Sequence, residues 1–151
     1  MIAIIGDLIN SRRINNRFLV QEQLQGCLNE LNAKYSDQIV SKFSITLGDE
    51  FQGLLLTGEK SLCMVDEVTF SMFPCKIRFG LGIGNLNTSI NHENCLGMDG
   101  PVFWRAREAI EIVHGDNDYH RANIHLCSQE NEPTVKLINE ILKLTALQVS
   151  G

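Results

Sequence analysis

The chain has 151 residues, 44% of them hydrophobic and 21% charged, which is enough for one globular domain with a real core. Its net charge of -5 argues against wholesale wrapping of nucleic acid and leaves only a local basic patch at Arg12, Arg13 and Arg17. No apolar run approaches the roughly 20 residues of a membrane span, and the start "MIAIIGD" has neither a basic leader nor a cleavage site, so a cytoplasmic protein with no membrane partner is expected.

In chain order, Ile2 to Ile5 is a short apolar run closed by Gly6-Asp7, which predicts a buried strand followed by a loop. Val20, Leu24, Cys27, Leu28, Leu31 and Tyr35 recur at three- and four-residue steps and predict a helix from about Arg17 to Tyr35. Phe43, Ile45 and Leu47 alternate with polar residues, and Phe51 to Leu56 is mostly apolar, so two strands flank Gly48-Asp49-Glu50 in a tight hairpin. Leu62, Val65, Val68 and Met72 mark a second helix ending before Pro74, and "KIRFGLGIG" reads as another strand, unusual for its three glycines. Pro101 stands in the first turn of a third helix marked by Phe103, Ala106, Ile110 and Val113. A short strand at Ala122 to Leu126 and a last helix from about Pro133 to Leu147 complete the order βαββαβαβα. Residues 1–151 form a single domain, with no repeat, low-complexity tract or linker.

This order predicts an α+β fold. The hairpin requires antiparallel pairing, while each strand-helix-strand step allows a right-handed crossover, so a mixed, mainly antiparallel sheet on a ferredoxin-like βαββαβ core follows, extended by a C-terminal strand and helix. Five widely spaced cysteines contain no CxxC and no zinc-spaced His/Cys cluster, and read as reduced, mostly buried thiols.

The stretch "SITLGDEFQGLLL" puts adjacent carboxylates between two apolar strands. In the expected sheet, the end of the first strand lies beside that hairpin and brings Asp7 near Asp49 and Glu50. Carboxylates converging in low dielectric repel each other, and a divalent cation relieves this; oxygen-only ligands favour magnesium or manganese. The plainer alternatives are that Asp7 braces the loop "DLINSRR", that Asp49 and Glu50 are ordinary turn residues, and that Arg107 pairs with Glu111 one helical turn on. The glycines of "GLGIG" lack the strand-then-helix context of a dinucleotide fingerprint and suit close approach of a helix or ligand. His92, His114, His120 and His125 are scattered and read as surface or structural residues, and Trp104 as a half-exposed packing residue.

"TLGDEFQGLLL" resembles both the GGDEF signature of diguanylate cyclases and the hairpin of class III adenylate and guanylate cyclases, which share a palm-like core. "IIGDLINS", "RFGLGIG" and "GPVFWRAREA" follow in matching order, and over nearly the whole chain the sequence is similar to the bacterial SatD family. The resemblance implies that Asp7, Asp49 and Glu50 hold magnesium or manganese, and that the backbone amides of Leu8, Ile9, Asn10 and Ser11 cradle the phosphates of a nucleotide or nucleoside triphosphate. It gives Arg107 the role of offsetting charge and Glu50 an alternative role as a base. Cyclases of this fold build their sites near a dimer interface, so a self-associating surface is implied too. Two departures bear on activity: Leu47 replaces the first glycine of GGDEF, and Phe103 stands where cyclases place a ribose-orienting asparagine. No base-reading residues are evident. The reading that follows is a metal- and nucleotide-binding domain with a sensing or regulatory role; the alternatives are an active nucleotidyl cyclase or transferase and a structural or protein-interaction module. SatD-like proteins are usually longer, with a C-terminal segment resembling a helix-turn-helix, so this chain is expected to be the N-terminal part of a longer protein, and any nucleic-acid binding is expected outside it.

Overall fold

The computed structural model describes residues 1–9, 15–115, 123–129 and 132–150. Asn10, Ser11, Arg12, Arg13, His120 and the expected strand start at Ala122 lie outside the described residues. The elements are β1 (Ile2–Leu8), α1 (Arg17–Lys34), β2 (Ile39–Leu47), β3 (Glu50–Leu55), α2 (Ser61–Met72), β4 (Ile77–Ile83), α3 (Pro101–Gly115), β5 (Ile124–Cys127) and α4 (Glu132–Ser150).

The strands form one sheet in the order β2-β3-β1-β4-β5. All neighbours are antiparallel except β4 and β5, as the βαββαβ core with an added strand requires. β1 is central and buried on both faces, which explains its unbroken apolar run. Ile2, Ile4 and Leu8 pack with α1, α2 and the start of α4, while Ala3 and Ile5 pack with Val102, Phe103, Ala106 and Ile110 of α3. The two-residue alternation of a strand sorts these side chains to opposite faces.

The β2-β3 hairpin closes through Gly48 and Asp49, with Leu47 opposite Glu50. Gly48 takes φ 60, the positive angle that the first position of a tight II′-type hairpin requires and glycine tolerates. β2 begins four residues earlier than its alternation predicts. Register shifts between Ile39 and Ser41, Ser41 and Ser44, and Ile45 and Leu47 break the two-residue period, so that Ser41 is buried and the pattern is unreadable upstream of Phe43. On β4, the glycines are there for a helix: a Cβ at Gly80 would run into the backbone of Ala106 and Ile110, and one at Gly82 into that of Val102 and Ala106. α3 therefore lies directly on β4.

Both edge strands are closed by an asparagine from a helix. Asn32 of α1 accepts the Phe43 N–H at 2.8 Å and donates to the Phe43 carbonyl at 2.9 Å. Asn139 of α4 accepts the Leu126 N–H and donates to its carbonyl, both at 2.9 Å. A primary amide thus stands in for a neighbouring strand at each rim.

Candidate functional site

At the end of β1 the sheet register sets Asp7 between Glu50 on β3 and Arg78 on β4. Residues directly opposite in a sheet project to the same face, so three charged side chains form one row on the face that α3 covers. α3 adds two more. His114 Nε2 lies 2.7 Å from Asp7 Oδ2, and Arg107 forks Glu50, with Nη1 3.0 Å from Oε2 and Nη2 2.5 Å from Oε1. Arg78 Nη1 stands 4.0 Å from Asp7 Oδ1.

Asp7 is the unusual member of this group. Its Oδ1 is buried and makes no hydrogen bond among the described residues, whereas buried carboxylate oxygens are normally satisfied. Burial raises its pKa, outweighing the opposing pull of the His114 contact and Arg78, and the neighbouring Glu50 charge pushes the same way. The Glu50 contact in turn raises the pKa of Arg107, which stays charged.

Asp49 occupies the hairpin turn. Its carboxylate is 3.2 Å from Arg17 Nη2 at the first residue of α1, and its carbonyl accepts the Leu8 N–H at 3.4 Å. The three predicted acidic residues therefore come to one end of the sheet, each beside a cation of the protein itself. Among the described residues, no group of three or more His, Cys, Asp or Glu side chains is close enough to hold a metal ion. A hard cation nevertheless fits the donor chemistry in part: Asp7 Oδ1 is a carboxylate oxygen with no hydrogen-bond partner among the described residues, and Asp49 sits on the adjacent turn. Glu50 offers less, because both its oxygens are engaged by Arg107.

The amides of Leu8 and Ile9, expected at a phosphate cradle, are both engaged by carbonyls of the protein. The ladder runs past Asp7, so Leu8 N–H bonds to Asp49 and Ile9 N–H donates to the Lys76 carbonyl at 2.8 Å; Asn10 and Ser11 lie outside the described residues. Arg17, offered by the sequence only as part of a basic patch, His114 and Arg78 are the site residues that sequence reasoning missed. Two signals were present: His114 follows Arg107 by seven residues, two turns along one face of α3, and Arg78 shares its strand face with Gly80 and Gly82, the face turned to a helix.

Beside this row, an open groove of about 420 Å³ runs between α3, Met98 and the floor residues Ile5 and Gln52.

The SatD family model matches residues 1–149. The chain belongs to the SatD family. Among solved structures, this SatD-family chain is similar to a bacterial light-regulated adenylyl cyclase, with a TM-score of 0.60 and 11% identity over 92% of this chain and 78% of that one. It is also similar to the guanylate cyclase domain of RhGC from Catenaria anguillulae in complex with GTP, with a TM-score of 0.47 and 14% identity over 70% of this chain and 69% of that one. No curated protein sequence matches. At such identity the likeness is one of fold: the SatD chain has a nucleotidyl-cyclase-like palm, with four helices and a five-stranded sheet among the described residues. No helix among the described residues is long and apolar enough to cross a membrane.

Proposed function

We propose that this SatD-family domain binds a nucleoside triphosphate with a divalent cation at the end of β1, and that the binding serves a sensing or regulatory role. The observation that carries this reading is Asp7, whose buried Oδ1 has no hydrogen-bond partner among the described residues and which stands in a row with Glu50 and Arg78. Asp7 and Asp49 would hold magnesium or manganese, and the ion would supply the positive charge that pairs with triphosphate oxygens. Arg17, Arg78 and Arg107 surround the carboxylates and give the phosphates further cationic neighbours, while His114 adds a hydrogen-bonding ring nitrogen.

Binding without turnover is the better reading because, of two groups that the resemblance ties to turnover, one is replaced and the other is engaged. Phe103 replaces the ribose-orienting asparagine and is 8% exposed within the α3 core. Glu50 is locked in a fork with Arg107, leaving it no free oxygen to act as a base. Contacts made equally to substrate and transition state do not accelerate chemistry.

A second reading, a structural module, is favoured by one observation: each of the three carboxylates already has an arginine beside it. Thermal melting separates the readings, since only a ligand that binds the native state raises apparent stability. Manganese with ATP or GTP should raise the wild-type melting temperature. Asp7→Asn and Asp49→Asn should each weaken manganese-dependent nucleotide binding at least tenfold, about 1.4 kcal/mol. Indifference of the wild type to manganese and both nucleotides would leave the structural module standing. In the same samples, chromatography should find little or no cyclic mononucleotide or dinucleotide, and robust turnover would make the domain a cyclase.

A further inference from the structure

The groove beside Asp7 has the composition of a ring-binding site. Its floor is Ile5 and Gln52, Met98 closes one side, and α3 contributes Phe103 and Trp104 with the charged Arg107, Glu108 and Glu111. At about 420 Å³ it falls within the ordinary range for a small-molecule pocket, where an apolar lining carries a few polar groups that fix orientation. Trp104 is 54% exposed, and its indole N–H donates to Asp99 Oδ1 at 2.7 Å. The bond fixes the ring at the rim of the groove with its apolar surface left in water, where a flat ligand can cover it. Gln52 brings both a donor and an acceptor, and its one hydrogen bond among the described residues is a long one, 3.4 Å to Glu50. Glu111 adds a carboxylate that accepts from an amino or ring N–H group.

Position ties the groove to the row of charges. Ile5 and Gln52 face each other across β1 and β3, one same-face step from the Asp7 and Glu50 pair. Two strand residues span about 7 Å, a separation that a ribose and its first phosphate can bridge. We infer that this groove receives the base of a nucleotide, stacked against Trp104 and read at its edge by Gln52 and Glu111, while the phosphates point to the Asp7 end. The inference rests on the phosphate site proposed above and adds the base subsite to it.

Trp104 is the only tryptophan in the chain, so its emission reports on the groove alone. The full chain is titrated in manganese with inorganic tripolyphosphate, ATP and GTP in turn, followed by Trp104 emission and by calorimetry. At least one nucleotide should bind about tenfold or more tighter than tripolyphosphate and change the emission. Tripolyphosphate should leave the emission unmoved. Gln52→Ala, on a partly exposed strand position, should remove most of the nucleotide's advantage and leave tripolyphosphate binding as it was. If tripolyphosphate and both nucleotides bind equally and the emission is silent, the base subsite is wrong while the phosphate site stands. If a nucleotide binds more tightly but neither Trp104 nor Gln52→Ala responds, the base lies elsewhere and the inference fails. If none of the three binds, the phosphate site and the groove fall together.

Discussion

Asp7 keeps a carboxylate where burial opposes its charge, and that sets a pH dependence. Its pKa is raised from the ordinary 3.8, first by burial, with His114 and Arg78 opposing and Glu50 adding. An acid whose folded-state pKa is raised contributes stability that is fully present below the unfolded value and is lost as pH rises through the folded one. In chelator near neutral pH, Asp7→Asn should therefore melt above the wild type, and the difference should shrink as pH falls toward 3.8. Melting curves of both proteins from pH 7 to pH 4 test this; a variant less stable throughout would mean that the His114 contact outweighs burial. The same residue marks what the sequence could and could not say. Asp7, Asp49 and Glu50 were legible because each sits at a strand end or in a turn, where charge beside an apolar run is conspicuous. Their partners were not, apart from Arg107, which the resemblance implied. His114 is 107 residues from Asp7 in the chain, and no periodicity in α3 separates a histidine that meets a carboxylate from one that meets water.

At the scale of elements, the contact between α3 and β4 is the least tolerant of change. Gly82→Ala would set a methyl group against the backbone of Val102 and Ala106, which must move as a unit, and should cost about 2–3 kcal/mol. Gly26 lies inside α1 with nothing within 4 Å of an added Cβ, so Gly26→Ala should stabilise by about 0.5–1 kcal/mol through helix propensity. Urea midpoints of the two variants should move in opposite directions, and equal shifts would show that the β4 contact yields. Most elements could be read from hydrophobic period alone: α1, α2 and β4 begin and end within a residue or two of their predicted bounds. The start of β2 could not, because its bulges shift the period on which the reading depends. The glycines of β4 announced a close approach without naming the helix that makes it, since that needs the sheet order.

For the whole molecule, the cysteines give an inexpensive check on packing. Cys63 is the one exposed thiol of the five. Burial pushes the Cys95 thiol up to about 11, and does the same to Cys127. Native protein should expose one fast thiol to a disulfide reagent at neutral pH, and denaturant should release the rest; several fast thiols would mean looser packing than the fold describes. Asn139 can be tested in the same way. It is 7% exposed and serves both backbone groups of Leu126, so Asn139→Ala leaves a donor and an acceptor unpaired and should cost about 2 kcal/mol, lowering the melting temperature by about 4–8 °C.

The two asparagines on the rims also govern how the protein would spoil. Asn32 and Asn139 both come from helices, so at those points a sheet edge opens to a foreign strand only after a helix has peeled away. Growth of fibrils in a stored sample would then be limited by detachment of α1 or α4 and not by collisions between intact molecules. Mild alcohol, which weakens the packing of a helix on a sheet while leaving the helix itself intact, would be the condition to avoid on the shelf.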